Sequence, residues 1–106
     1  MRLGQGVAQA KTHSQCVYRY VLFRYDERLR QTIPRAFGRV LRSHRERRKW
    51  SQLQLAEKAD LHINMIGMLE RGERGPSLET VFQFCEIFEV PVDRFMAAVA
   101  NELEID

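Results

Sequence analysis

From Ile33 onward the apolar residues fall at helical spacing. Phe37, Val40, Leu41 and His44 stand at i, i+3, i+4 and i+7, one face of a helix whose other faces carry arginines. Thr32 reads as its cap and Pro34 as a first-turn residue, where a missing N–H costs nothing; the helix ends near Arg48. Ser51 caps a second helix, Gln52 to Ala59, with Leu55, Ala56 and Ala59 inward. Asp60 follows, a residue that tolerates the left-handed conformation of a helix stop. A third helix runs from about His62 to Glu70, with Met65, Ile66 and Leu69 spaced for burial, and Gly72, Gly75 and Pro76 break it. Ser77 caps a fourth helix, Leu78 to Phe88, whose inner face is Leu78, Val81, Phe84, Cys85 and Phe88. After a turn at Val90 and Pro91, a fifth helix starts near Val92 and includes Phe95, Met96 and Val99. Nothing after Ile33 asks for a strand, so the fold class is all-α, with five helices.

Residues 1–32 form an N-terminal extension of a different character. Residues 1–15 are polar and without period, a tail. The run CVYRYVLFRY, 16–25, is rich in β-branched and aromatic residues and suits a short strand or arm, with a helical extension as the alternative; Asp26 is a possible helix cap there, with Glu27 in the first turn. The helical domain spans 33–101, and 102–106 is an acidic tail that frays. A length of 106 residues suits one domain, and 44% apolar with 29% charged residues is a globular composition. No apolar run approaches the roughly 20 residues of a membrane helix, and Arg19 and Arg24 interrupt the most apolar N-terminal stretch. A cytoplasmic location without membrane contact follows as an expectation. Cys16 and Cys85 lie far apart without metal-ligand spacing, so Cys85 reads as a small buried side chain and Cys16 as a bystander; neither a metal nor a cofactor is expected.

Charge changes the picture more. Residues 1–49 hold 13 Lys/Arg and 3 Asp/Glu, a net of +10, whereas residues 50–106 hold 4 Lys/Arg and 11 Asp/Glu, a net of −7. The basic block of Arg35, Arg39, Arg42, Arg45, Arg47, Arg48 and Lys49 suits a polyanion partner, although arginines on a helix also serve as a solvated face.

The stretch SQLQLAEKADLHINMIGMLERGERGPSLET, Ser51 to Thr80, resembles the Cro/lambda-repressor-like (XRE-type) helix-turn-helix family, with its Ser-Gln, Leu-Ala, Ile-x-x-Leu-Glu-Arg-Gly and Pro-Ser-Leu in order. The likeness covers about 33–96, with the motif itself at 51–70. It implies a sequence-specific double-stranded DNA binder, a small transcriptional regulator of the repressor or autoregulator kind, encoded by a bacterium or phage and associated with the nucleoid. The second helix then crosses the phosphate backbone while the third lies in the major groove. By resemblance, Ser51 and Gln52 contact phosphate at a helix N-terminus, and His62, Ile63, Asn64, Gly67 and Met68 face the groove. Asn64 suits an adenine edge, and Ile63 or Met68 a thymine methyl. No Arg, Lys or Gln occupies these groove-facing positions, a departure from strong base readers. Arg47, Arg48, Arg71 and Arg74 are candidate phosphate contacts. Glu70 and Arg45 match a family ion pair that holds the fold together.

The family's habit of binding paired half-sites implies a homodimer, for which Phe82, Ile87, Met96 and Val99 are the candidate patch. Two other readings stand beside the regulator: an antitoxin that also binds a protein toxin, and an adaptor using the fold for protein contacts alone. An enzyme is not expected, because there is no clustered Ser/His/Asp, no Cys/His pair near in sequence and no glycine-rich phosphate loop.

Overall fold

The computed structural model describes residues 25–105, and among them the chain forms five helices and no strand. They are α1 Leu29–Arg47, α2 Gln52–Ala59, α3 Ile63–Arg71, α4 Leu78–Phe88 and α5 Val92–Ile105. The tail expected at 1–15, and nearly all of the strand or arm expected at 16–25, lie outside the described residues.

α1 begins earlier than its apolar period indicates. The Asp26 side chain accepts from the Arg28 N–H at 2.9 Å, and the Asp26 carbonyl accepts from the Leu29 N–H at 3.0 Å. That turn launches the helix upstream, so Thr32 is not its cap; the Thr32 hydroxyl donates back to the Arg28 carbonyl at 2.6 Å. Pro34 consequently lies inside the helix rather than in its first turn.

The helix ends share one device. Lys49, Asp60, Gly72 and Glu89 all have positive φ, between 57° and 76°. In each case the next N–H reaches back five residues: Trp50 to the Arg45 carbonyl, Leu61 to Ala56, Glu73 to Met68 and Val90 to Cys85. This reverses the chain while satisfying the last carbonyls, and the apolar residue after the stop folds onto the core. Trp50, Leu61 and Val90 do so.

The core gathers Ala36, Phe37, Val40 and Leu41 of α1 with Leu55, Ala56 and Ala59 of α2, Ile66 and Leu69 of α3, Val81, Phe84, Cys85 and Phe88 of α4, and Phe95 and Val99 of α5. Each large side chain buried here contributes about 1.5–3 kcal/mol. α1 is the spine, with α3 and α5 packed along it, while α2 packs on α3 and α4. His44 is buried at its end, stacked on Phe88 at 5.0 Å and Phe95 at 5.3 Å between ring centroids. Guanidinium groups only donate, so the contacts from Arg47 and Arg48 make His44 Nδ1 an acceptor and leave the proton on Nε2.

Three further expectations are corrected. Leu78 is 74% exposed: the first turn of α4 projects past the core, and Leu78 joins Phe82, one turn on, on the outer side. Val99, expected in a dimer patch, is a core residue at 3% exposure. The acidic end from 102 is helical through Ile105, with Glu102 bound to Arg39 Nε at 2.7 Å and Leu103 packed on the core.

Candidate nucleic-acid interface

Backbone proximity and one polar cluster hold α3 against α1. Gly38 lies where the last turn of α3 crosses α1, and a Cβ there would stand 2.5 Å from the carbonyl oxygens of Leu69 and Glu70. Only glycine lets the two backbones come so close. One turn further along α1 from Leu41, Arg45 Nε donates to Glu70 Oε2 at 2.6 Å and Nη2 to Oε1 at 3.0 Å. Arg45 Nη1 also donates to the Trp50 carbonyl at 2.8 Å, and Gln52 Nε2 donates to Glu70 Oε1 at 3.0 Å. The two charged side chains are 11% and 3% exposed, so this is a buried pair whose polar atoms are satisfied. The Glu70 hydrogen bonds raise the Arg45 pKa above its ordinary value. One cluster thereby ties α1, the turn after it, the first turn of α2 and the last turn of α3.

The N-terminus of α2 is exposed and carries a cap. Ser51 Oγ accepts from the Gln54 N–H at 3.0 Å, and Gln54 Oε1 accepts from the Ser51 N–H at 2.7 Å, a reciprocal box. Gln52 is half-buried and already bonded to Glu70. Leu53 beside it is 52% exposed, an apolar surface residue that helical periodicity did not single out.

On α3, His62 is the N-cap, its Nδ1 accepting from the Asn64 N–H at 3.0 Å. His62, Ile63 and Asn64 are exposed and Met68 is half-buried. Gly67 is buried beneath a neighbouring side chain. A Cβ on it would meet only the end of the Arg71 side chain, with Nη1 at 2.9 Å, so Arg71 is what lies over it. Arg71 is bound to Glu73 at 2.7 Å, and Arg74 is exposed.

The basic end of α1 divides in two. Arg47 is exposed, although its Nη2 approaches His44 Nδ1 at 3.4 Å. Arg48, expected on phosphate, is engaged with the protein: it donates to the His44 carbonyl at 2.8 Å and to the Phe88 carbonyl at 2.7 Å. Its guanidinium also lies 4.8 Å from the Phe88 ring centroid. Trp50 stacks on Phe88, and Lys58 Nζ sits 4.6 Å from the Trp50 ring centroid. Arg48 is therefore a clasp between α1 and the end of α4.

Of the patch expected between protomers, Phe82 and Met96 are exposed at 52% and 41%, and Ile87 is half-buried. Among the described residues no group of His, Cys, Asp and Glu is placed to hold a metal ion, and no helix is long and apolar enough to cross a membrane.

This is a helix-turn-helix domain: a capped helix, a left-handed stop at Asp60 and a second helix fixed across a shared core. The helix-turn-helix family model matches residues 41–95, and the chain belongs to that family, in its Cro/lambda-repressor-like (XRE) branch. It is 28% identical over 67 residues to the HTH-type transcriptional regulator SutR of Escherichia coli (strain K12), a match covering 63% of this chain and 38% of the relative's length. Among solved structures it is similar to the clp gene regulator ClgR from Corynebacterium glutamicum, with 25% identity, TM-score 0.65, and 69% and 78% of the two chains covered. It is also similar to the restriction-modification controller protein C.AhdI from Aeromonas hydrophila, with 27% identity, TM-score 0.55, and 58% and 94% covered. The family is one of DNA-binding regulators and not of enzymes.

Proposed function

We propose that this chain is a sequence-specific regulator of transcription that acts in the cytoplasm and sets α3 into the major groove of double-stranded DNA, as a repressor or autoregulator. The buried Arg45–Glu70 pair carries the reading. It fixes α3 to α1 and, through Gln52, to the first turn of α2. A helix held this firmly can present Ile63 and Asn64 to base edges while Ser51 and the α2 N-terminus meet phosphate. Arg47 and Arg74 are exposed cations for the flanking backbone. Protein that unites paired half-sites needs a second copy. The exposed Leu78, Phe82 and Met96 support an isologous contact through α4 and α5.

The test is fluorescence anisotropy against DNA from upstream of the protein's own gene, beside a scrambled duplex, through a salt series. Preference for the native duplex at physiological salt supports an autoregulator. Equal, steeply salt-dependent binding to both refutes recognition of that site. The exposed apolar Leu53 and Ile63 favour a second reading, a protein adaptor, and absence of binding at low salt selects it. Sedimentation equilibrium of the wild type and Phe82→Glu tests the dimer; two monomeric profiles refute it.

A further inference from the structure

Two phenylalanines of α4, Phe84 and Phe88, are buried, while the third, Phe82, is 52% exposed. With Val90 and Pro91 it lines a shallow groove of about 610 Å³ that runs from the middle of α4 to the turn before α5. Glu79, Glu86 and Glu89 line the same groove. Glu79 and Glu86 stand three residues before and four residues after Phe82, so carboxylates flank the ring on one helical face. None of the three glutamates forms an ion pair with a described residue. Glu86 and Glu89 also lie at the C-terminal end of α4, where the helix dipole disfavours a negative charge and the last turn holds no basic residue. Arg48 meets that end through the Phe88 carbonyl and not through these carboxylates. The groove is thus apolar inside, acidic at its edge and without a cation of its own.

The chain carries the complement. Residues 1–24 include Arg2, Lys11, Arg19 and Arg24 and no Asp or Glu. The run 16–24, CVYRYVLFR, sets Arg19 and Arg24 among aromatic and aliphatic residues. It also joins the domain beside α4: a Cβ on Gly75, two residues before the Ser77 cap, would lie 3.9 Å from Cγ of Pro34 in α1. Nine extended residues reach roughly 30 Å, whereas the eleven residues of α4 span about 17 Å.

We propose that the segment 16–24 docks in the α4 groove of its own chain, its apolar side chains over Phe82, Val90 and Pro91 and its two arginines against Glu79, Glu86 and Glu89. Docking needs neither DNA nor a second copy. Phe82 also belongs to the contact proposed above between copies; if that reading holds, the segment competes with the second copy and regulates dimer formation.

The test uses the full chain with Phe82→p-benzoylphenylalanine, a photo-cross-linker placed at an exposed position. It is irradiated without DNA over a range of protein concentrations, and the products are separated by mass and mapped by peptide. Cross-links from position 82 to peptides of 16–24, within chains of monomer mass, are expected. Two exposed ion pairs change a docking equilibrium about fivefold, so reversing the groove (Glu86→Lys with Glu89→Lys) or the segment (Arg19→Glu with Arg24→Glu) is expected to lower the yield about twofold or more. Combining the two reversals is expected to restore it. Glu86 and Glu89 are exposed, and a wild-type melting curve accompanies the groove variant. A yield that neither reversal moves overturns the inference. Cross-links that join only two copies overturn it and leave the dimer standing. Cross-links to 16–24 with no product between copies at any concentration support it and refute the dimer contact. Cross-linking to neither overturns both.

Discussion

Gly38→Ala and Gly67→Ala are the same chemical change at two helical positions, and the structure gives them opposite signs. Either alanine gains about 0.8–1 kcal/mol of helix propensity. At Gly38 the new Cβ stands 2.5 Å from two carbonyl oxygens and 2.8 Å from the Glu70 carbonyl carbon. A tolerable carbon-to-oxygen approach is about 3.3 Å, so α3 must retreat by roughly 0.8 Å. The obstacles are backbone atoms, so no rotamer change relieves the clash, and the retreat strains the Arg45–Glu70 fit. Overpacking of this kind costs about 1–3 kcal/mol, occasionally more, and the upper end applies where backbone must move. Less the propensity gain, Gly38→Ala is expected to destabilise by about 2 kcal/mol, a fall in Tm of roughly 8–15 °C for a domain this size. At Gly67 the new Cβ meets only the flexible end of Arg71, so Gly67→Ala is expected to leave Tm unchanged or raise it by a few degrees. Circular dichroism melts and urea titrations followed by the single tryptophan, Trp50, measure both. A Gly38→Ala protein as stable as the wild type would refute the close crossing of α1 and α3.

Other consequences are open to the same measurements. Burial, with the charges of Arg47 and Arg48, lowers the His44 pKa from 6.5 to about 4. The unfolded side chain takes up a proton near 6.5 and the folded one does not, so this contribution is full above pH 6.5 and is lost as pH falls toward 4, about 3 kcal/mol in all. Comparison with His44→Phe isolates it from the carboxylates, and parallel pH profiles of the two proteins would refute it. Glu70→Ala leaves Arg45 buried with the Trp50 carbonyl as its remaining strong partner and is expected to cost about 3–5 kcal/mol; a loss below 1 kcal/mol, read by urea unfolding, contradicts a buried pair. Arg48→Ala, which gives up the His44 and Phe88 carbonyls, is expected to cost about 1.5–3 kcal/mol of stability. Arg47→Ala, in contrast, is expected to leave Tm unchanged and make the salt dependence of DNA binding shallower by about one unit of slope. Equal effects of the two arginines would refute their division of labour.

How far the sequence was readable follows from the range of each interaction. Helix faces, the Ser51 and Ser77 caps and the Asp60 stop are settled within a few residues, and periodicity and cap chemistry found them, Leu78 on the outer side of α4 excepted. Lys49 and Glu89 adopt the same left-handed stop as Asp60 without its side-chain tolerance. Their signal was the neighbour: Trp50 and Val90 are apolar residues just past a helix, and anchoring them on the core holds the charged residue before them at positive φ. Pro34 misled because proline favours a first turn only when nothing upstream starts the helix, and Asp26 does. The site shows the same boundary more sharply. In the run of arginines along α1, local sequence does not distinguish Arg48 from Arg47; the Phe88 carbonyl that engages Arg48 lies 40 residues away. Arg45 and Glu70 are equally remote, 25 residues apart, and only the family resemblance pairs them, because its pattern carries tertiary information that periodicity lacks. Gly38 had neither source. A glycine within a helix costs about 1 kcal/mol, and that cost was the one local sign that another backbone must pass there. The placement of α3 thus depends on contacts remote in sequence, while the residues proposed to meet a ligand, Ile63, Asn64 and Met68, come from the family resemblance to one short stretch. A partner's chemistry can therefore be inferred from a short stretch of chain whose orientation is fixed elsewhere.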